Sequence, residues 1–224
     1  MQGTTILFSE MTPPEGQDAA FHSWYDEEHI PLRMNVPGFV SARRYGIDDT
    51  SFLAVYEMNA PTVLASDAYG VVKNQPSDLT RSMLGSVTGF TRYICDEISV
   101  RRGAVTAPEA LDAPILYAVW FTVPDEACDR FDAWYEQDHI PLLMDCPDWL
   151  MVRRFKVRDG EPGNFNRLAL HYLADTSALD SPARAAARAS DWRAKIAAED
   201  WFKGTYSVFQ AVRDRQPGNC APSA

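Results

Sequence analysis

The chain has 224 residues, of which 46% are hydrophobic and 23% charged, with a formal net charge of −10. That acidity argues against a nucleic-acid or anionic-membrane partner, since both select clustered Lys and Arg. Four cysteines without CxxC spacing exclude a disulfide framework or a zinc site and point to a reducing compartment. The N-terminus lacks a basic, apolar leader and no run is long enough for a membrane span, so a cytoplasmic protein is expected.

In chain order, Thr5–Met11 is β-rich and reads as a strand, closed by Pro13, Pro14 and Gly16. From Asp18 to Met34 the pattern is helical: Phe21, Trp24, Tyr25, Glu28 and Leu32 share a face. Pro31 should stop or kink this helix near its end. Pro37-Gly38 is a turn. Phe39–Tyr45 is a strand with Val40, Ala42 and Arg44 on one face and Phe39, Ser41, Arg43 and Tyr45 on the other. Asp48-Asp49 marks a hairpin turn before a strand at Phe52–Met58. A helical region over 62–84, interrupted at Gly70 and Pro76, precedes a fourth strand over 91–98.

The order then repeats. FHSWYDEEHIPLRMNVPGFVSARR, from Phe21, returns as FDAWYEQDHIPLLMDCPDWLMVRR, from Phe131, with 11 of 24 positions identical at a spacing of 110. An internal repeat of this length means two similar domains. The second copy predicts strands at 115–122, 149–157, 167–173 and 205–212, a helix over 128–144 and an Ala- and Arg-rich helix over 182–199. Each copy reads β-α-β-β-α-β, the ferredoxin-like split arrangement. The domain plan is a first unit at 1–102, a linker at 103–114, a second unit at 115–213 and a flexible tail at 214–224. The fold class is α+β. Each four-stranded sheet leaves one face bare of helices, so the two sheets are expected to close into an eight-stranded barrel within one chain, a monomeric pseudo-dimer or a homodimer of such chains.

The segments WYDEEHIPLRMNVPGFVSARRY and WYEQDHIPLLMDCPDWLMVRRF resemble the signature of the EthD-like branch of the dimeric α/β-barrel superfamily. The resemblance covers both halves. It implies the barrel fold and a small-molecule enzyme, and leaves the chemistry open. The superfamily holds cofactor-free quinone-forming monooxygenases, muconolactone isomerases, polyketide cyclases, small decarboxylases and dehydratases, and haem enzymes.

His29 and His139 are the first catalytic candidates. Placed near a helix C-terminus, each should have its pKa raised by the helix dipole toward the working range of a general acid or base. The competing reading is a cap on the helix end. Tyr25 and Tyr135, one turn earlier, could share a proton with them. Substrate-binding candidates on the strands are Glu10, Arg44, Tyr56 and, in the second copy, Trp120, Arg154 and His171. A strand arginine is more often an ion pair; one facing a pocket favours a carboxylate or phenolate. The first copy is the preferred pocket because it carries Glu10, Tyr56 and Arg33, while His171 keeps the second in play. No P-loop, GxGxxG, HExxH or GxSxG is present, so no metal or nucleotide cofactor is expected. Haem, which His29, His139 or His171 could ligate, has no motif in its favour. The expectation is a cofactor-independent lyase or isomerase acting on an aromatic or polyketide-like molecule. The alternatives are a quinone-forming monooxygenase and a non-catalytic binding protein.

Overall fold

A computed structural model describes residues 2–48 and 50–219. The chain divides into two compact units. The first comprises Met1–Asp96, Asp159–Pro162 and Ala211–Ala224, and the second Glu97–Arg158 and Gly163–Gln210.

In the first unit, strands β1 (Thr5–Met11), β2 (Phe39–Gly46), β3 (Phe52–Met58) and β4 (Arg92–Arg102, to Asp96) carry the sheet. β3 pairs with β2 on one side and β1 on the other, and β1 pairs with β4, all antiparallel. Between β1 and β2 runs a long helix in three parts: α1 (Asp18–Trp24), a π-helical turn (Tyr25–His29) and α2 (Ile30–Met34). Pro31 therefore neither ends nor breaks it. Proline has no N–H, and its ring would collide with the carbonyl four residues back. The Ile30 N–H bonds the Tyr25 carbonyl, five residues back, which is the wider π spacing. The region expected as one interrupted helix is a 3-10 turn followed by α3 (Asp67–Asn74) and α4 (Asp78–Ser86), capped by Ser66 and Ser77. Gly70 lies inside α3; the break is at Pro76.

β2 differs from simple alternation. A register shift between Phe39 and Ser41 turns Phe39 to the same side as Ala42, where both join the core under the helices. That core includes Phe21, Trp24, Tyr25, Tyr56 and Tyr69. The hairpin turn is held by Asp48, whose Oδ1 accepts from the Thr50 and Ser51 amides; Asp49 lies outside the described residues. Of the tail expected to be flexible, Gln216–Pro217 forms a short strand, β9, against β2, and the Asn219 amide donates to the Met34 carbonyl.

The second unit repeats the plan: β5 (Ile115–Phe121), α6 (Cys128–Trp134), a π turn (Tyr135–His139), α7 (Ile140–Leu143), β6 (Trp149–Glu161), β7 (Arg167–Leu173), α8 (Pro182–Ala189), α9 (Asp191–Ala197) and β8 (Thr205–Ala211). β7 pairs with β6 and β5, and β5 with β8. The Ala-rich helix is thus two helices, each with its own serine cap, Ser181 and Ser190. Within the segment expected as a linker, Ala107–Leu111 forms a one-turn helix, α5, with a Thr106/Glu109 capping box. No helix among the described residues is long and apolar enough to cross a membrane. The α+β class and the βαββαβ order of each unit are those expected from the sequence.

Arg154, almost fully buried on β6, ties sheet to helix. Its guanidinium donates to Asp132 and, at 2.9 Å, to Glu136, and lies 4.6 Å from the Tyr135 ring centroid. Arg44 is its counterpart, bonded to Asp26 at 2.8 Å and His22 Nδ1 at 2.7 Å, and 4.4 Å from the Tyr25 ring. Removing one partner of such a buried pair strands the other. Arg154→Met should therefore destabilise the chain by about 3 kcal/mol. The readout is a lowered urea midpoint at constant m-value; an unmoved midpoint would show that the clamp adds no stability.

Candidate functional site

The π turn decides where Tyr135 and His139 point. With one extra residue in the turn, the two side chains lie over one another at its two ends, their rings 5.1 Å apart. Both line a cavity of about 370 Å³ inside the second unit, between the sheet and α8 and α9. β5 contributes Tyr117, Val119 and Phe121; β6 and β7 contribute Trp149 and His171. The helices and the segment after them contribute Arg184, Arg188, Arg193 and Phe202. The volume is that of a small-molecule site.

Three side chains form a hydrogen-bonded row along its wall. Trp149 Nε1 donates to His171 Nδ1 at 3.0 Å, and His171 Nε2 lies 3.1 Å from Tyr135 Oη. An indole N–H can only donate, so Nδ1 bears the lone pair. Burial holds the His171 pKa well below its ordinary value, with the charges of His139, Arg154 and Arg184 adding to the effect, so the ring is neutral and its proton sits on Nε2. His171 therefore donates to Tyr135, and the Tyr135 hydroxyl keeps its own proton for a further acceptor. Burial also raises the Tyr135 pKa, so the phenol stays protonated.

His139 behaves differently from the expectation. It is in mid-helix rather than at a C-terminus, so the dipole does not act on it as supposed. Burial lowers its pKa to about 4; the Ala187 carbonyl opposes this, and Arg193, Arg184 and Arg188 reinforce it. Its Nδ1 is buried without a partner. His29 shows the same reversal: burial, then Arg33 and Arg44, hold its pKa well down.

The sequence favours a pocket in the first copy; the large cavity lies in the second. At the positions that match the cavity wall, the first unit carries different side chains. Tyr69 occupies the position of Arg184, the third after the helix cap in each copy, and is buried with its ring 5.8 Å from Phe39. Arg33, in place of Leu143, lies over the Tyr56 ring at 5.5 Å. The Tyr25 hydroxyl donates to Met11 Sδ at 3.5 Å, where that of Tyr135 meets His171.

The remaining candidates sit elsewhere. Arg44 and Arg154 are engaged by helix carboxylates and do not line the cavity. Glu10 accepts from Thr91 Oγ1 at 3.0 Å in the first unit; burial raises its pKa and the Thr91 bond opposes the rise. Trp120 alternates to the opposite side of β5 from Tyr117 and Phe121 and packs on Phe165. Tyr56 is in the first core. The cavity arginines, Tyr117, Trp134 and Phe202 are additions to the sequence reading. Their signal was the contrast between the second helical regions of the two copies, where Tyr69 and Thr80 face Arg184 and Arg193 across the repeat.

No three of His, Cys, Asp and Glu gather as a metal cluster among the described residues. Both ring nitrogens of His171 are engaged, by Trp149 and Tyr135, so it presents no free nitrogen to a haem iron.

No protein-family model and no curated protein matches the sequence. Solved structures do. An anthrone oxidase-like protein superposes with TM-score 0.67 at 12% identity, covering 98% of this chain and 96% of its own. A Candidatus Nitrospira defluvii chlorite dismutase, a variant in complex with cyanide, gives 0.59 at 6% identity, covering 95% and 92%. A Listeria monocytogenes ferredoxin-fold protein related to antibiotic biosynthesis monooxygenases gives 0.51 at 11%, covering 95% and 96%. At these identities the likeness establishes the fold, that of the dimeric α/β-barrel class.

The depressed histidine pKa sets a pH dependence. Between about pH 6.5 and pH 4, His139 takes up a proton in the unfolded chain and not in the folded one. Stability then rises with pH across that window, by on the order of 3 kcal/mol when complete. His29 and His171 act in the same direction. Urea unfolding should show lower stability at pH 5 than at pH 7, with a smaller difference in His139→Gln. A flat or opposite slope would mean that these rings are solvated.

Proposed function

We propose that the chain is a cofactor-independent enzyme for an aromatic small molecule, with its active site in the cavity of the second unit. The observation that carries the reading is the convergence, on one cavity wall, of a buried neutral imidazole and a phenol whose proton is free to be donated. His139, neutral and lining the cavity, accepts a proton from a carbon or oxygen next to a carbonyl. The Tyr135 hydroxyl, backed by His171 and Trp149, donates to the carbonyl oxygen as negative charge builds there. The arginines favour the resulting anion and oppose a positive charge on His139, so the proton must pass on rather than rest there. Trp134, Trp149 and Phe202 supply flat walls for a ring system. Membership of the EthD-like branch is consistent with the WYxxxHIP segment of each copy.

Such a site serves isomerisation, cyclisation, dehydration or decarboxylation. A second reading is favoured by the likeness to an anthrone oxidase-like protein: removal of the proton gives an electron-rich carbanion that dioxygen oxidises without a cofactor. For anthrone the balance is one substrate and one O₂ giving anthraquinone and water.

Anthrone serves as a probe for both readings. Under anaerobic conditions in D₂O, the protein should accelerate exchange of the acidic ring C–H, followed by proton NMR. His139→Ala should lower that acceleration roughly 100-fold with the circular dichroism unchanged. Oxygen uptake on admitting air selects the oxidase reading, and exchange without uptake selects the proton-transfer one. Exchange no faster than in buffer would remove this chemistry from the cavity.

A further inference from the structure

We infer that the cavity ligand is an aromatic acid, and that its carboxylate is held by Trp134 with Arg184, Arg188 and Arg193. The inference rests on the cavity being the ligand site, as proposed above, and adds the charge and the anchoring group of the ligand.

The first observation is electrostatic. The chain carries a net charge of −10, yet three arginines line this cavity and no Asp or Glu does. Elsewhere in the chain, buried arginines meet carboxylates: Arg44 meets Asp26, Arg153 meets Glu97, and Arg154 and Arg167 meet Asp132. The cavity arginines, with Arg184 and Arg193 half-buried and Arg188 exposed, meet none among the described residues. Arg184 donates to the Leu179 carbonyl and Arg193 to the Arg188 carbonyl. They act on one another instead: burial, then the charges of Arg188 and Arg184, lower the Arg193 pKa. Like charges gathered at the mouth of a recess favour an anion between them.

The second observation comes from the duplication. In the first copy Trp24 Nε1 donates to Thr80 Oγ1 at 2.8 Å. Thr80 is the third residue past the cap Ser77, and the third residue past the matching cap Ser190 is Arg193. An acceptor has been replaced by a donor. Trp134 Nε1, the counterpart of the Trp24 nitrogen, is buried with no partner. Two donors, an indole N–H and a guanidinium, thus line a cavity in which the acceptor of the first copy is missing. Buried donors are rarely left unpaired. A carboxylate supplies acceptor oxygens for both and a charge for the arginines, in the planar form that a guanidinium recognises.

The third observation is the wall beside them. Trp134 and Phe202 lie 5.4 Å apart, centroid to centroid, with Arg193 over Phe202 at 5.7 Å. The anchoring group is therefore flanked by ring faces, which suits an acid carried on an aromatic system.

The test is equilibrium binding, read by tryptophan fluorescence on the full chain at neutral pH, of naphthoate and of its uncharged amide. Naphthoate should bind at least about tenfold more tightly than the amide, a preference that shrinks as salt rises. Arg193→Gln and Trp134→Phe should each abolish most of that preference while leaving amide binding within about twofold. Arg193→Lys should keep part of it. Equal affinity for acid and amide, or naphthoate affinity undiminished in both variants, would overturn the inference. If Arg193→Gln does not fold, Trp134→Phe decides. His139→Gln separates the two proposals: it should retain the naphthoate preference while losing catalysed exchange. Acid preference without turnover would count against the enzyme reading alone, and turnover without acid preference against this one alone.

Discussion

A proline inside a helix governs the geometry of this molecule. Pro31 and Pro141 each follow a His-Ile pair in the middle of a helix that must continue to reach the next strand. The chain resolves the clash by widening the preceding turn, and the widening places a tyrosine and a histidine over one another at its ends. The aromatic ring above the arginine clamp, the imidazole beside the tryptophan and the shape of the space beneath the helices all follow from that turn. A straight α-helix would rotate these side chains relative to one another. π turns of this kind recur at functional sites because they re-aim side chains without ending the helix.

The same turn serves two different interiors. In the first unit the tyrosine rests on methionine sulfur and the histidine on tryptophan, with Tyr69 in the core and Thr80 bonded to Trp24. In the second unit Tyr56 is replaced by His171, Tyr69 by Arg184 and Thr80 by Arg193, and the space opens. The helix-to-sheet clamp is unchanged in kind: Arg44 on Tyr25 and Arg154 on Tyr135 lie at nearly the same height above their rings. The framework that fixes the turn is thus common to both copies, and the residues that differ are those facing the space under the second pair of helices.

Much of the fold was legible in the sequence for a physical reason. β1, β3 and β7 have the bounds read from their β-rich runs, because apolar strands buried on both faces are continuous and their turns are marked by Pro, Gly and Asp. The π turn was not legible, since Tyr25 and Glu28 fit an α face whether or not one residue bulges. The bulge at Phe39 escaped for the same reason: period two cannot register an extra residue. The histidine pKa was read with the wrong sign because burial, a tertiary property, outweighs the helix end that sequence suggests. The candidate site was half visible. His139, Tyr135 and His171 stand out in the repeat, but Arg184 and Arg188, four apart among alanines, have the pattern of a solvated helix face. Only the third dimension brings them to the rim of a cavity.

The repeat has one more consequence. When an enclosure is assembled from two identical chains, every substitution appears twice, and a residue that opens one chamber opens its twin. Here each half is encoded separately. One can keep tyrosine and threonine where the other has taken up arginine, so an aromatic core and a charged chamber coexist on the same backbone plan. Two copies in one chain are free to differ where two identical chains are not.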